Sequence, residues 1–129
     1  MTASSIRDQN LLEERVTTLM DRLVKDLDLG WLRVTNKFDP CNLDTDRVLC
    51  ETKADWEYRS ATLLWNLHQV ASTPDEYLEA TAIHELVHAL NSPIWESLTG
   101  PQQEKLQPLN ELATENVARV IHHLLESRG

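Results

Sequence analysis

Residues 74–90 constrain this chain more than any other stretch. Wound as a helix, the segment is apolar over much of its circumference, through Tyr77, Leu78, Ala80, Ala82, Ile83, Leu86, Val87, Ala89 and Leu90. Such a helix belongs in the middle of a fold with other elements covering it. Yet it carries His84, Glu85 and His88, polar side chains that are expensive to bury unpaired. Together they read His84-Glu85-Leu86-Val87-His88. Histidines four residues apart project from one helix face, so both imidazoles can close on a single metal ion. Glu85, beside the first histidine, is positioned to accept a proton from water at that metal. Thr73-Pro74-Asp75-Glu76 reads as the helix start, with Thr73 as cap, Pro74 in the first helical position and Glu76 closing a capping box.

Around this helix there is room for one modest domain. With 129 residues, 41% of them hydrophobic, the chain is expected to form a single domain over 1–129, with residues 1–7 flexible. Residues 8–28 repeat Leu11, Leu12, Val16, Leu19, Leu23 and Leu27 at helical spacing, with Gly30 as a stop signal. Trp31–Thr35 reads as a strand, 36–46 as a loop, Arg47–Asp55 as a second strand and Ser60–Leu67 as a third. The third strand is apolar on both faces, which predicts a central strand covered on both sides. Short connections predict mostly antiparallel pairing. Asn91-Ser92-Pro93 is expected to end the histidine helix, 91–109 to form a linker, and 109–126 to form a last helix. Trp31 and Trp65 are expected in the core.

Charge and cysteines exclude some classes. The net charge is −9, from 21 acidic and 12 basic residues. No basic cluster is present, so nucleic acid is not predicted as a partner. No apolar run predicts a membrane span, and the N-terminus lacks the apolar core of a signal peptide, so a cytoplasmic location is expected. Cys41 and Cys50 are then expected as free thiols; a disulfide between them and a cysteine-containing metal site are the alternatives. Asp44 and Asp46 lack the rest of a calcium loop and read as a solvated turn.

Two imidazoles need a third ligand, because catalytic zinc usually takes three protein ligands and leaves one position open. No histidine follows at the short downstream spacing; His68, His122 and His123 are the others. Carboxylates on the last helix are better placed: Glu111 and Glu115 share one of its faces.

His84-Glu85-x-x-His88 followed by a glutamate on a later helix resembles the gluzincin metallopeptidases. Asn110-Glu111-Leu112-Ala113-Thr114 is similar to the thermolysin-type signature, which implies Glu111 as ligand and Glu115 as its acidic neighbour. Glu115-Asn116-Val117-Ala118 instead resembles the small bacterial and phage zincins of the ImmA/IrrE kind, which implies Glu115 as ligand. The second is preferred, with Glu111 as a supporting residue or the alternative third ligand. The resemblance implies a minimal zincin-like α+β fold: an N-terminal helix, a small sheet, the central histidine helix and a carboxylate-bearing last helix. It implies one zinc per chain and a peptide or protein substrate. Arg119, His122, Tyr77 and Tyr58 are the candidates for oxyanion or substrate contacts. Non-haem iron also accepts two histidines and a carboxylate, but the order of residues favours zinc. The rival function is a zincin-fold protein that binds metal and acts as a regulatory or structural partner without peptidase turnover.

Overall fold

The computed structural model describes residues 3–39 and 48–128. Helix α1 (Ala3–Asp26) is followed by strands β1 (Arg33–Asp39), β2 (Cys50–Asp55) and β3 (Ser60–Asn66). Helices α2 (Leu67–Ser72), α3 (Asp75–Glu96) and α4 (Gly100–Arg128) complete the chain. This is an α+β arrangement with an N-terminal helix, a small sheet, a central histidine-bearing helix and a last helix bearing carboxylates.

The periodic leucines of α1 pack as their spacing requires. Val16, Met20 and Leu23 are fully buried, while Leu11 stays exposed. The helix begins earlier than expected, taking in residues 3–7. It also stops before Gly30. Asp28 adopts a left-handed conformation with φ 55°. Leu29 N–H donates to the Val24 carbonyl and Asp28 N–H to that of Lys25. That closes a Schellman-like end, with aspartate standing where glycine is commoner.

The sheet order is β1-β3-β2. β2 pairs antiparallel with β3, across the short turn Trp56–Tyr58 that ends in left-handed Arg59. β1 pairs parallel with β3, which corrects the mostly antiparallel expectation. The chain leaves β1, forms β2 at the far edge and returns to insert β3 between them. Strand β1 also begins two residues after Trp31 and continues through Asp39, so the loop expected over 36–46 is strand in its first part. Cys41, Asp44 and Asp46 lie outside the described residues.

Register decides which side of the sheet meets the helices. Val34, Asn36 and Phe38 align with Ala61, Leu63 and Trp65, and these with Ala54, Thr52 and Cys50. Ala61, Leu63, Trp65 and Cys50 are buried in the same core as Leu78, Ala82, Ile83 and Leu86 of α3. Buried Trp65 donates its indole N–H to Asn36 Oδ1 at 3.0 Å. The opposite face carries Arg33, Thr35, Lys37, Glu51, Lys53 and Asp55, all exposed. Helices cover one face only, so the expectation of a doubly covered sheet does not hold; Leu64 remains half-buried among polar neighbours. Trp31, expected in the core, is 55% exposed, because it precedes the strand instead of lying in it.

Both helix boundaries around the site also differ. α3 starts at Asp75 with Pro74 at its N-cap position and no side-chain cap. Thr73 instead donates to the Gln69 carbonyl at the end of α2. α3 runs through Pro93 to Glu96. Proline cannot donate to the carbonyl four residues back, and Ser92 Oγ donates to that carbonyl, Ala89 O, at 2.8 Å. The reciprocal capping box lies at the start of α4. Thr99 N–H donates to Gln102 Oε1 at 2.9 Å, and Gln102 N–H to Thr99 Oγ1 at 3.3 Å. Of the residues expected as linker, 91–96 are therefore the end of α3 and 100–109 the first turns of the 29-residue α4.

Candidate metal centre

α3 and α4 pack side by side, which brings the histidine face of one against the glutamate face of the other. His84 and His88 are nearly perpendicular, with ring centroids 4.8 Å apart. Glu111 lies across both. Its Oε2 is 3.2 Å from His84 Nε2 and its Oε1 is 3.0 Å from His88 Nε2. Ligand atoms of these three residues all lie within 4.8 Å of one another.

Their separations suit a tetrahedral ion. Metal–ligand bonds of about 2.0–2.1 Å give ligand–ligand edges of about 3.3–3.4 Å. The contacts to Glu111, one through each of its oxygens, fall within a few tenths of an ångström of that. Two imidazole nitrogens and one carboxylate oxygen are also the donor set zinc accepts. The arrangement is that of a zincin-like metal-binding site.

The two carboxylates have separate positions. Glu111 faces the Nε2 atoms of both histidines. Glu115, preferred on sequence as the ligand, takes the other nitrogen of His84, with Oε2 2.8 Å from Nδ1. Its second oxygen accepts from Arg119 Nε at 3.0 Å. Partial burial pushes the Glu115 carboxyl up, but the hydrogen bonds and charges of Arg119 and His84 outweigh it and hold it below the usual range. A carboxylate on Nδ1 fixes the histidine ring and leaves Nε2 free to face a metal.

Glu85 lines the same cleft as His88 and Glu111, between the histidines and strand β2. Its carboxylate is almost fully buried and accepts from Thr52 Oγ1 at 2.5 Å. Desolvation raises its pKa, opposed by the Thr52 hydrogen bond and by both histidines. Thr52 went unnoticed in the sequence because an isolated strand threonine carries no signal; only the register facing β2 to α3 brings it to Glu85. Thr114, the hydroxyl residue of the thermolysin-type resemblance, also lies near the site. It is fully buried between Glu111 and Glu115 on α4, and its hydroxyl has no hydrogen-bond partner.

A cleft of about 710 Å³ opens over the site. Glu85, His88 and Glu111 line its floor, Thr52 and Ala54 of β2 one wall, and Trp95 with Asn110 the other. β2 is an edge strand, so its outer backbone edge is unpaired among the described residues.

The remaining candidates are not gathered there. Tyr58 and Tyr77 are exposed and neither lines the cleft. His122 Nε2 contacts Glu126 at 3.3 Å and lies 4.0 Å from Glu79. His68 and His123 are exposed. Arg119 reaches the site only through Glu115. Cys50 is a buried free thiol. Burial first, then the nearby Glu85 and Glu51 charges, push its pKa far up, the reverse of what a metal-binding thiolate needs. No described helix is long and apolar enough to cross a membrane.

No protein-family model matches the chain, and neither a curated protein nor a solved structure matches it.

Proposed function

We propose that the chain is a zinc-dependent metallopeptidase, with His84, His88 and Glu111 holding one zinc ion and Glu85 acting as general base. The observation that carries this reading is the meeting of His84, His88 and Glu111 beside a cleft walled by an edge strand. Bound zinc supplies Lewis acidity to a peptide carbonyl and to water. The chain's own residues do the rest. Glu115 holds His84 by Nδ1, and Arg119 holds Glu115. Thr52 keeps the Glu85 carboxylate turned into the cleft. Glu85 accepts a proton from water and returns it to the departing amine. An extended peptide hydrogen-bonds to the free edge of β2 and lies along the cleft.

One observation favours the rival reading of a metal-binding regulatory or structural protein. None of Tyr58, Tyr77, Arg119 and His122 faces the cleft as an oxyanion donor. Under the peptidase reading, that stabilisation falls to the metal and to cleft amides such as Asn110. One experiment separates the two. Purified protein should contain about one zinc per chain and cleave an unstructured protein substrate such as casein. Glu85→Gln should retain the zinc and lose the cleavage. Zinc retained by a wild-type chain that cleaves nothing supports the rival. Zinc content unchanged by His84→Ala and His88→Ala removes the metal site altogether.

A further inference from the structure

The cleft continues along α3 past the histidines. Trp95 follows His88 by seven residues and Glu96 follows Glu85 by eleven. These separations are two and three helical turns, so each pair shares a face of the helix. Both Trp95 and Glu96 line the cleft, about 10 Å beyond the catalytic end by helical rise. An extended peptide covers that distance in about three residues.

Glu96 stands where a glutamate is locally unfavourable. It is the last residue of α3, where the helix dipole opposes a negative charge, and no basic residue shares its turn. Among the described residues nothing forms an ion pair or hydrogen bond with it. A residue that breaks a local rule without compensation is one to suspect of function. The rest of the cleft does not neutralise it. Glu85 and Glu111 line the floor, Glu51 the rim, and among the described residues no lysine or arginine lines it at all. Lys53 alternates with Thr52 and turns to the open face of the sheet, and Arg119 is held by Glu115. The two charges of a zinc ion balance Glu85 and Glu111 and leave Glu96 unanswered.

We propose that this end of the cleft receives a lysine or arginine side chain of the bound peptide, recognised by the ring of Trp95 and the carboxylate of Glu96. The inference rests on the reading of the cleft as a peptide site. A long basic side chain suits both residues: its aliphatic stem lies on Trp95 and on Val48, which is 57% exposed in the cleft wall, and its charged head meets the indole face and Glu96. An acidic side chain meets like charge with no donor to answer it, and an apolar one covers Glu96 without pairing it. The net charge of −9 acts in the same sense at longer range, drawing basic peptides in and turning acidic ones away.

Binding to the zinc-loaded Glu85→Gln protein tests this without turnover. Fluorescence anisotropy reads the affinity of labelled peptides of one neutral, unstructured sequence that carry arginine, methionine or glutamate at each position in turn. At the best position arginine should bind about tenfold more tightly than methionine, and glutamate more weakly than either. Glu96 is exposed, so its replacement leaves the fold and the zinc content unchanged. Glu96→Gln should cut the preference for arginine below about threefold while leaving the methionine peptide's affinity unaltered, and Glu96→Lys should turn the preference toward glutamate. Added salt should weaken the arginine peptide alone. Methionine bound as tightly as arginine at every position overturns the inference, as does an arginine preference that survives both Glu96 variants, or no binding of any peptide. Casein cleavage by wild type is read separately. A chain that cleaves casein without preferring arginine remains a peptidase and loses this subsite; one that binds arginine peptides through Glu96 and cleaves nothing keeps the subsite and loses the turnover.

Discussion

Glu111 and Glu115 are one helical turn apart, share a helix face and contact the same histidine, yet their positions give them different work. Glu111 spans both Nε2 atoms, while Glu115 sits on His84 Nδ1 and Arg119. Glu111→Ala should therefore abolish stoichiometric zinc, whereas Glu115→Ala should loosen it about 10- to 100-fold. Titration of metal-free protein with zinc reads both, and the reverse ranking would return the metal to Glu115. Cys50 offers an independent test at the same scale. Its folded pKa lies far above the ordinary thiol value. Above about pH 8.5 the unfolded chain loses that proton and the folded chain keeps it. The folded state then binds more protons, so stability falls as pH rises, approaching about 1.4 kcal/mol per pH unit from this group. Cys50→Ala removes the group, and urea denaturation at pH 7.5 and 9.5 should show a smaller loss for the variant. Equal losses would mean that Cys50 ionises in the folded chain.

At the scale of elements, the boundaries are where sequence signals competed. Gly30, Pro93 and the Gly100–Pro101 pair all read as breaks. Only the first lies outside a helix, and α1 ends before it at Asp26, closed by left-handed Asp28. Pro93 is tolerated because Ser92 serves the carbonyl that proline leaves without a donor. Ser92→Ala should cost about 1–3 kcal/mol, the penalty for a buried group left unsatisfied, measured as a fall in the urea midpoint with unchanged slope. A loss below a few tenths would show that water replaces the hydroxyl. Gly100 and Pro101 belong to a helix start, and Thr99-x-x-Gln102 is a capping box visible in the sequence. It was overshadowed by the same pattern at Thr73–Glu76, where Thr73 is drawn back to close α2. Arg15 locks that junction to α1. It donates to the Val70 and Thr73 carbonyls at 2.8 and 2.7 Å and to Asp75 at 2.6 Å. Three partners contributed by a helix end, its cap and the next helix cannot be read from the spacing around Arg15 itself.

For the whole molecule, the metal site is a clasp between α3 and α4. The candidate ligands come from both helices and meet in the folded state only, so under the proposed function zinc binds the native chain and stabilises it by mass action. At a free zinc concentration about a hundred times the dissociation constant the gain is about 2.7 kcal/mol. Thermal unfolding should shift upward with zinc and return with a chelator. Glu111→Ala should lose the shift, while Glu85→Gln, which removes no ligand, should keep it. A shift unchanged in Glu111→Ala would place the stabilising zinc elsewhere. By itself the sequence determined the histidine pair, the glutamate beside it, the central helix beneath them and the two later glutamates able to face it, because these follow from helical periodicity within short segments. The tertiary structure alone decided which glutamate faces the histidines, that Thr52 holds Glu85, that β1 joins the sheet parallel and that β2 borders the cleft. Those depend on how α3 packs on α4 and on strand register. Both are set by contacts between residues far apart in the chain, where local spacing carries no information.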